Sequence, residues 1–138
     1  TSMRVLRINA STDYAVRILL LLADAGGVMP SSRLADSIGI SRRYLLQVAA
    51  KLRETGLVDV VYGPTGGFKL TKALEQICLL DIFEAMEGRN DQFPKWNDKE
   101  NCFAVLTDTY EKIDCQIIKQ MKVINFQELL KRFKEENV

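Results

Sequence analysis

Residues 40–68, ISRRYLLQVAAKLRETGLVDVVYGPTGGF, decide how this chain folds. Ser41 is a good helix N-cap, Tyr44, Leu45, Val48, Ala49 and Leu52 recur behind it at helical spacing, and Gly56 stands where a helix C-terminus favours positive φ. Arg42, Arg43, Gln47 and Lys51 occupy the other face, which is polar, basic and suited to enter a groove of nucleic acid. Residues 57–62 are then rich in β-formers, residues 68–70 form a short second run, and Gly63-Pro64-Thr65-Gly66-Gly67 links them as a hairpin.

Upstream, residues 11–25 predict a helix capped by Ser11 or Thr12, with Asp13, Arg17 and Asp24 on a narrow polar stripe and the rest apolar. This helix is expected at the centre of the core. Gly26, Gly27 and Pro30 end it. Ser31 or Ser32 then caps a short helix whose Leu34, Ala35 and Ile38 face inward, and Gly39 closes it. Only Gly39 and Ile40 separate this helix from the next, the signature of a helix-turn-helix. With the hairpin directly behind it, the pattern is a winged helix.

Downstream, residues 77–87 predict another short helix with Asp81 near its start and Gly88 at its end. Residues 88–101 are polar, include Pro94 and lack periodicity, as a loop or linker does. Phe103, Leu106, Tyr110, Ile113, Ile117, Met121 and Ile124 then repeat at intervals of three and four, the narrow seam of a helix that packs along another. The seam can dock within the chain or pair with its own copy. Pairing is preferred, because a helix-turn-helix commonly reads two half-sites through a two-fold axis. Asn125 with Glu128 resembles a capping box for a last helix over residues 126–136, packing through Phe126, Leu129, Leu130 and Phe133.

The fold class is therefore mainly α with a small β-hairpin wing: a winged helix-turn-helix plus a long dimerisation helix. Residues 3–88 are expected to form the DNA-binding domain, and residues 89–138 the effector loop and dimerisation helices. A chain of 138 residues can bury one core of useful size. Its formal charge of +1 conceals a division. Residues 1–72 carry ten Lys/Arg against five Asp/Glu, whereas residues 73–138 carry nine against thirteen. A basic head on a more acidic half suits nucleic acid on one side and a protein partner on the other, although ordinary surface variation gives the same numbers.

The longest apolar run, residues 18–23, is too short to span a bilayer, and no signal-peptide pattern precedes it, so no membrane partner and a cytoplasmic location are expected. Thr1 and Ser2 ahead of Met3 read as a tag remnant. Cys78, Cys102 and Cys115 form an odd set without CxxC, and histidine is absent, which excludes a zinc finger, a disulfide framework and His-based catalysis. No enzyme is expected. Residues 63–67 also lack the Lys-Ser/Thr and following helix of a phosphate-binding loop.

Candidate DNA contacts follow from position. The helix starts at Ser31, Ser32 and Ser41 offer backbone N–H groups and a positive dipole end to phosphate. Arg42, Arg43, Tyr44 and Gln47 lie on the first turn and a half of the second helix, where Arg can grip guanine and Gln can read adenine. Lys51, a turn further on, suits a phosphate. In the wing, Tyr62, Thr65, Gly66 and Lys69 are candidates, the glycines letting backbone approach a phosphate or minor groove. The competing reading is a solvated helix face beside a plain tight hairpin, with the winged helix used for protein-protein contacts.

The segments STDYAVRILLLLA (residues 11–23), ISRRYLLQVAAKLRETGLV (40–58), GPTGGFKL (63–70) and LLDIFEAMEG (79–88) resemble the Rrf-two family of bacterial transcriptional regulators. That family includes the iron-sulfur cluster regulator, the nitric-oxide-sensitive repressor and the cysteine-metabolism repressor. The resemblance implies a homodimer whose winged-helix heads bind a palindromic double-stranded DNA operator, most often as a repressor. Many members hold an iron-sulfur cluster through three cysteines in the loop before the long helix. Here only Cys102 matches, so no cofactor is expected. Asp13 matches an acidic position that ligates the cluster in some relatives, yet Arg17 one turn on is its natural partner. Leu46 stands where relatives often have Glu, and Tyr62 where they often have Arg, so a changed operator is implied.

Three triggers remain without a cluster. A thiol switch could use Cys102 or Cys115; were both on the long helix, about 20 Å would separate them, ruling out a bridge within one helix. Cys115 falls off the seam and is expected to be exposed, Cys78 to be buried filler. A small ligand could sit against Phe93, Pro94 and Trp96, or a protein effector on the acidic half.

Overall fold

In the computed structural model, residues 6–88 and 101–136 are described. The first helix, α1 (Ala10–Ala25), starts one residue earlier than the sequence predicts. Asn9 is its N-cap, its Oδ1 accepting the Ser11 N–H at 3.0 Å, and Thr12 is instead fully buried with its hydroxyl donating to Glu87 Oε1 at 3.2 Å. A short amide does the capping, and the hydroxyl expected there is drawn into the core. Ala15, Ile18, Leu19 and Leu22 are buried along α1, each large side chain contributing about 1.5–3 kcal/mol. The Asp13–Arg17 pair forms at 2.9 Å on the outer stripe.

The second helix, α2 (Ser31–Ile38), buries Leu34 and Ala35, with Ile38 only half-buried. Pro30, not a serine, occupies its N-cap position, and no side chain caps it. Ser31 and Ser32 are the first two residues of the helix itself, behind a proline whose fixed φ sets the entry angle. Gly39, at φ 84°, turns the chain into α3 (Arg42–Glu54), a conformation that side-chain-bearing residues resist. Leu45, Val48, Ala49 and Leu52 bury the inner face of α3.

Strands β1 (Val58–Val61) and β2 (Gly67–Leu70) pair antiparallel in the register Val58↔Leu70, Asp59↔Lys69, Val60↔Phe68 and Val61↔Gly67. The second strand begins one residue before the expected run. Met29 adds a further rung: its N–H donates to the Phe68 carbonyl and Phe68 N–H donates to the Met29 carbonyl, both at 2.9 Å. The wing is therefore bonded to the connection before α2 as well as to itself. A Cβ at Gly67 would stand 2.0 Å from the Met29 carbonyl oxygen, so glycine here is dictated by backbone approach within the protein.

A 3-10 turn (Leu74–Gln76) precedes α4 (Leu79–Glu87), which starts two residues later than the helix predicted over residues 77–87. Asp81 Oδ2 accepts the Cys78 N–H at 2.9 Å and fixes that start. Helix α5 (Ala104–Val123) packs on α4 through its C-terminal half, where Met121 is buried. Asn125 Oδ1 then accepts the Glu128 N–H at 2.9 Å and opens α6 (Phe126–Glu136). Leu79 N–H donates to the Ile124 carbonyl at 2.8 Å and Phe126 N–H to the Ile77 carbonyl at 3.0 Å, stitching the α5–α6 junction to the start of α4. Phe126, fully buried, joins the same core as Ile18, Leu45 and Ile82. Helix α1 touches α2, α3, α4, α6 and β2, the central position its apolar faces predict. No described helix is long and apolar enough to cross a membrane.

Candidate nucleic-acid interface

Ser41 sets the orientation of α3: its Oγ accepts the Tyr44 N–H at 3.1 Å. From that start, burial of Leu45, Val48 and Leu52 leaves Arg42, Arg43, Leu46, Gln47, Ala50, Lys51, Arg53 and Glu54 exposed on the opposite side. The candidate residues Arg43, Gln47 and Lys51 thus share one outward face. Tyr44 does not belong with them. It is half-buried, with its ring edge-on to Tyr14 at 5.6 Å, and it ties α3 to α1.

Arg42 turns towards α2, its Nε donating to Ser31 Oγ at 2.9 Å. Ser31, Ser32, Arg42, Leu46, Tyr62 and Gly66 border one depression of about 480 Å3 between the start of α2, the start of α3 and the wing. Six candidates or near-candidates far apart in the chain thus meet at one groove. Thr65 is exposed at the wing tip. Lys69 does not line this groove: it alternates with the buried Phe68, is exposed, and stands opposite Asp59 in the strand register.

A second groove of about 600 Å3 runs along α3 beside the wing. Leu46, Ala50, Val60, Tyr62 and Phe68 give it an apolar floor, and Arg53 and Glu54 are its charged groups. Sequence reasoning passed over Ala50 and Arg53. Their signal was the i, i+4, i+8, i+11 spacing of Arg42, Leu46, Ala50 and Arg53, which sets all four on the wing side of the exposed face.

Among the thiols, Cys102 is exposed but precedes α5 and does not lie on it. Cys115 is exposed in the middle of α5, as its offset from the seam predicts. Cys78 is half-buried at the start of α4, less enclosed than the filler expected there, because it occupies the N-cap position. Phe93, Pro94 and Trp96 lie outside the described residues. Along α5, Phe103, Leu106, Ile113 and Ile117 are between 38% and 57% exposed, so the apolar seam is open to solvent over most of its length.

The comparisons with known proteins agree with this geometry. The family described as "Rrf2: Iron-dependent Transcriptional regulator" matches residues 8–132. The chain is 34% identical over 99 residues to the HTH-type transcriptional regulator IscR of Erwinia tasmaniensis, a match covering 70% of this chain and 59% of that protein. It is 32% identical over 90 residues to the HTH-type transcriptional regulator NsrR of Bacillus licheniformis, covering 64% and 61%. The chain thus spans about 60% of the length of the curated relatives it matches. The solved structure of T. potens IscR superposes with a TM-score of 0.79 at 26% identity, covering 97% of this chain and 93% of that one. CymR, the global cysteine regulator of B. subtilis, superposes with a TM-score of 0.80 at 23% identity over 93% and 98%, which shows a shared fold. The chain belongs to the Rrf2 family of transcriptional regulators.

Proposed function

We propose that this protein is a homodimeric, sequence-specific DNA-binding regulator in which residues 3–88 read the operator and residues 89–138 supply the effector loop and dimer contacts. One observation carries the reading: the start of α2, the start of α3 and the wing border a common groove that Arg42 lines, and Arg43, Lys51 and Arg53 are exposed on the same helix. Arg43 and Gln47 reach base edges, while Ser31, Ser32, Ser41, Arg42, Lys51 and the wing residues Tyr62, Thr65 and Gly66 position the head on phosphate and sugar; Lys69, outside the groove, adds only to the positive charge of the wing. Tyr44 contributes by orienting α3. The exposed seam of α5 supports pairing with a second copy, since among its described residues only Thr107 and Met121 are buried within the chain and the apolar seam residues Phe103, Leu106, Ile113 and Ile117 are open to solvent. Two heads related by a two-fold axis read a palindrome. Occupying the operator needs no further chemistry to block polymerase, so the protein acts as a repressor and not as an enzyme.

The donor set does not fit an iron-sulfur cluster. Cys78 starts α4, Cys115 lies within α5, and of the three loop cysteines that many family members carry only Cys102, just before α5, has a counterpart here. Asp13 is paired with Arg17. Exposure of Cys102 and Cys115 supports thiol chemistry as the trigger; a small ligand or a protein effector is the alternative.

Selecting bound sites from random duplexes, followed by titrations across salt, tests the function. Sequence preference with steep loss of affinity as salt rises is expected. Absence of binding at low salt would move the winged helix to the protein-contact class. If replacing Cys102 and Cys115 together by serine leaves oxidant-driven operator release unchanged, the thiol trigger is wrong.

A further inference from the structure

The middle of the exposed face of α3 is apolar. Leu46 is 37% exposed one turn after Arg42, and Ala50 follows it one turn later. A single exposed leucine is ordinary. This one continues across to the wing, where Val60, Tyr62 and Phe68 complete the floor of the 600 Å3 groove, and Tyr62 is 78% exposed. Arg53 and Glu54 are the charged residues lining this groove, Arg42 lines the adjoining one, which shares Leu46, Val60, Tyr62 and Phe68, and Arg43 and Lys51 are exposed on the same helix.

We propose that this strip is a thymine-reading site, in which Leu46 receives the 5-methyl group of a thymine in the major groove of the operator. The inference rests on the DNA-binding reading above and names what one position of that surface recognises. With Arg42 and Arg53 lining the two adjoining grooves and Arg43 and Lys51 exposed on the same helix, cations outnumber the one carboxylate, Glu54, and favour an occupant that carries negative charge, which an apolar peptide does not supply. A DNA duplex satisfies both demands at once: phosphates meet the cations, and the thymine methyl is the one apolar group on the base edges of the major groove. Leu46 has no hydrogen-bonding group, so it discriminates by burying that methyl and by leaving the cytosine amino group unmatched. Arg43 and Gln47, one side of Leu46 on the same face, read the neighbouring bases.

Uracil tests this, because replacing thymine by deoxyuridine removes the methyl and preserves every hydrogen-bonding group. In the operator selected from random DNA, each thymine is replaced in turn. At one thymine of each half-site the affinity is expected to fall about four-fold, the effect of one buried CH2. The same substitution leaves the affinity of Leu46→Ala unchanged and is felt again by Leu46→Met, both variants first checked for a native circular dichroism spectrum. Specific binding that is insensitive to uracil at every position overturns the thymine site while the DNA-binding function stands. Sensitivity that persists in Leu46→Ala overturns it too, and failure to select any operator removes the DNA-binding reading itself.

Discussion

The Nε of Arg42 donates to the Oγ of Ser31 at 2.9 Å, tying together the first residues of the two helices of the helix-turn-helix. With Nε engaged, the guanidinium plane is fixed and its two terminal amino groups remain to face the groove. Ser31→Ala is therefore expected to weaken operator binding about three- to ten-fold by releasing Arg42, the value of one hydrogen bond. In an Arg42→Ala background the serine change should do nothing further. A double-mutant cycle by fluorescence anisotropy measures this, and additive losses would show that the contact does not position Arg42.

Arg43 and Lys51 lie on the same exposed face of α3, eight residues apart, and should differ in kind. Arg43→Ala is expected to lower affinity for the preferred site about ten- to a hundred-fold and to relax selection at one base pair. Lys51→Ala should weaken binding evenly across sequences and reduce the salt slope by about 1. Equal, sequence-independent losses from both variants would reverse the assignment.

The helices of the head were legible because their apolar spacing and glycine stops are local. Leu45, Val48, Ala49 and Leu52 sit where a 3.6-residue period sets them, and Gly39 and Gly56 take the positive φ that helix ends favour. The misplaced features depend on neighbours distant in sequence. Thr12 is a good cap in isolation, yet Glu87, 75 residues away, draws it into the core. Phe126 reads only as an apolar residue of the last helix, whereas its backbone bonds to Ile77 and its ring fills the core of the head. Within the site, the basic residues stood out by type. Leu46 and Tyr62 stood out only as departures from the family pattern; that Leu46 joins Ala50 in one apolar strip did not, since the strip depends on Val60 and Tyr62 arriving from the wing.

Ile113 is 52% exposed near the middle of α5, on the seam that also carries Leu106 and Ile117. In a two-fold dimer each such residue meets its own copy or a close neighbour, so Ile113→Glu would bury two carboxylates facing each other. Sedimentation velocity at micromolar concentration is expected to show dimer for the parent and monomer for the variant, with the helical signal retained. Operator affinity should drop by at least a hundred-fold, because the two heads lose their effective concentration. A variant that remains dimeric places the interface elsewhere.

Gly67 faces the Met29 carbonyl oxygen so closely that an added Cβ would lie 2.0 Å from it and 2.4 Å from the carbonyl carbon. Both are backbone atoms, with no flexible side chain to move aside. Gly67→Ala must therefore push β2 off the α1–α2 connection and weaken the paired Met29–Phe68 hydrogen bonds, a loss of about 2 kcal/mol or more. Thr65→Ala, at the exposed tip of the same wing, removes no such contact and should melt like the parent. Thermal unfolding separates the two, and hydrogen exchange locates the effect: the Met29 and Phe68 amides should exchange faster in Gly67→Ala while those of α1 keep their ranking. Since the wing walls the groove beside Leu46, operator affinity should fall with it. Unchanged exchange at both amides would mean that the wing has room to absorb the methyl and that glycine serves the ligand instead.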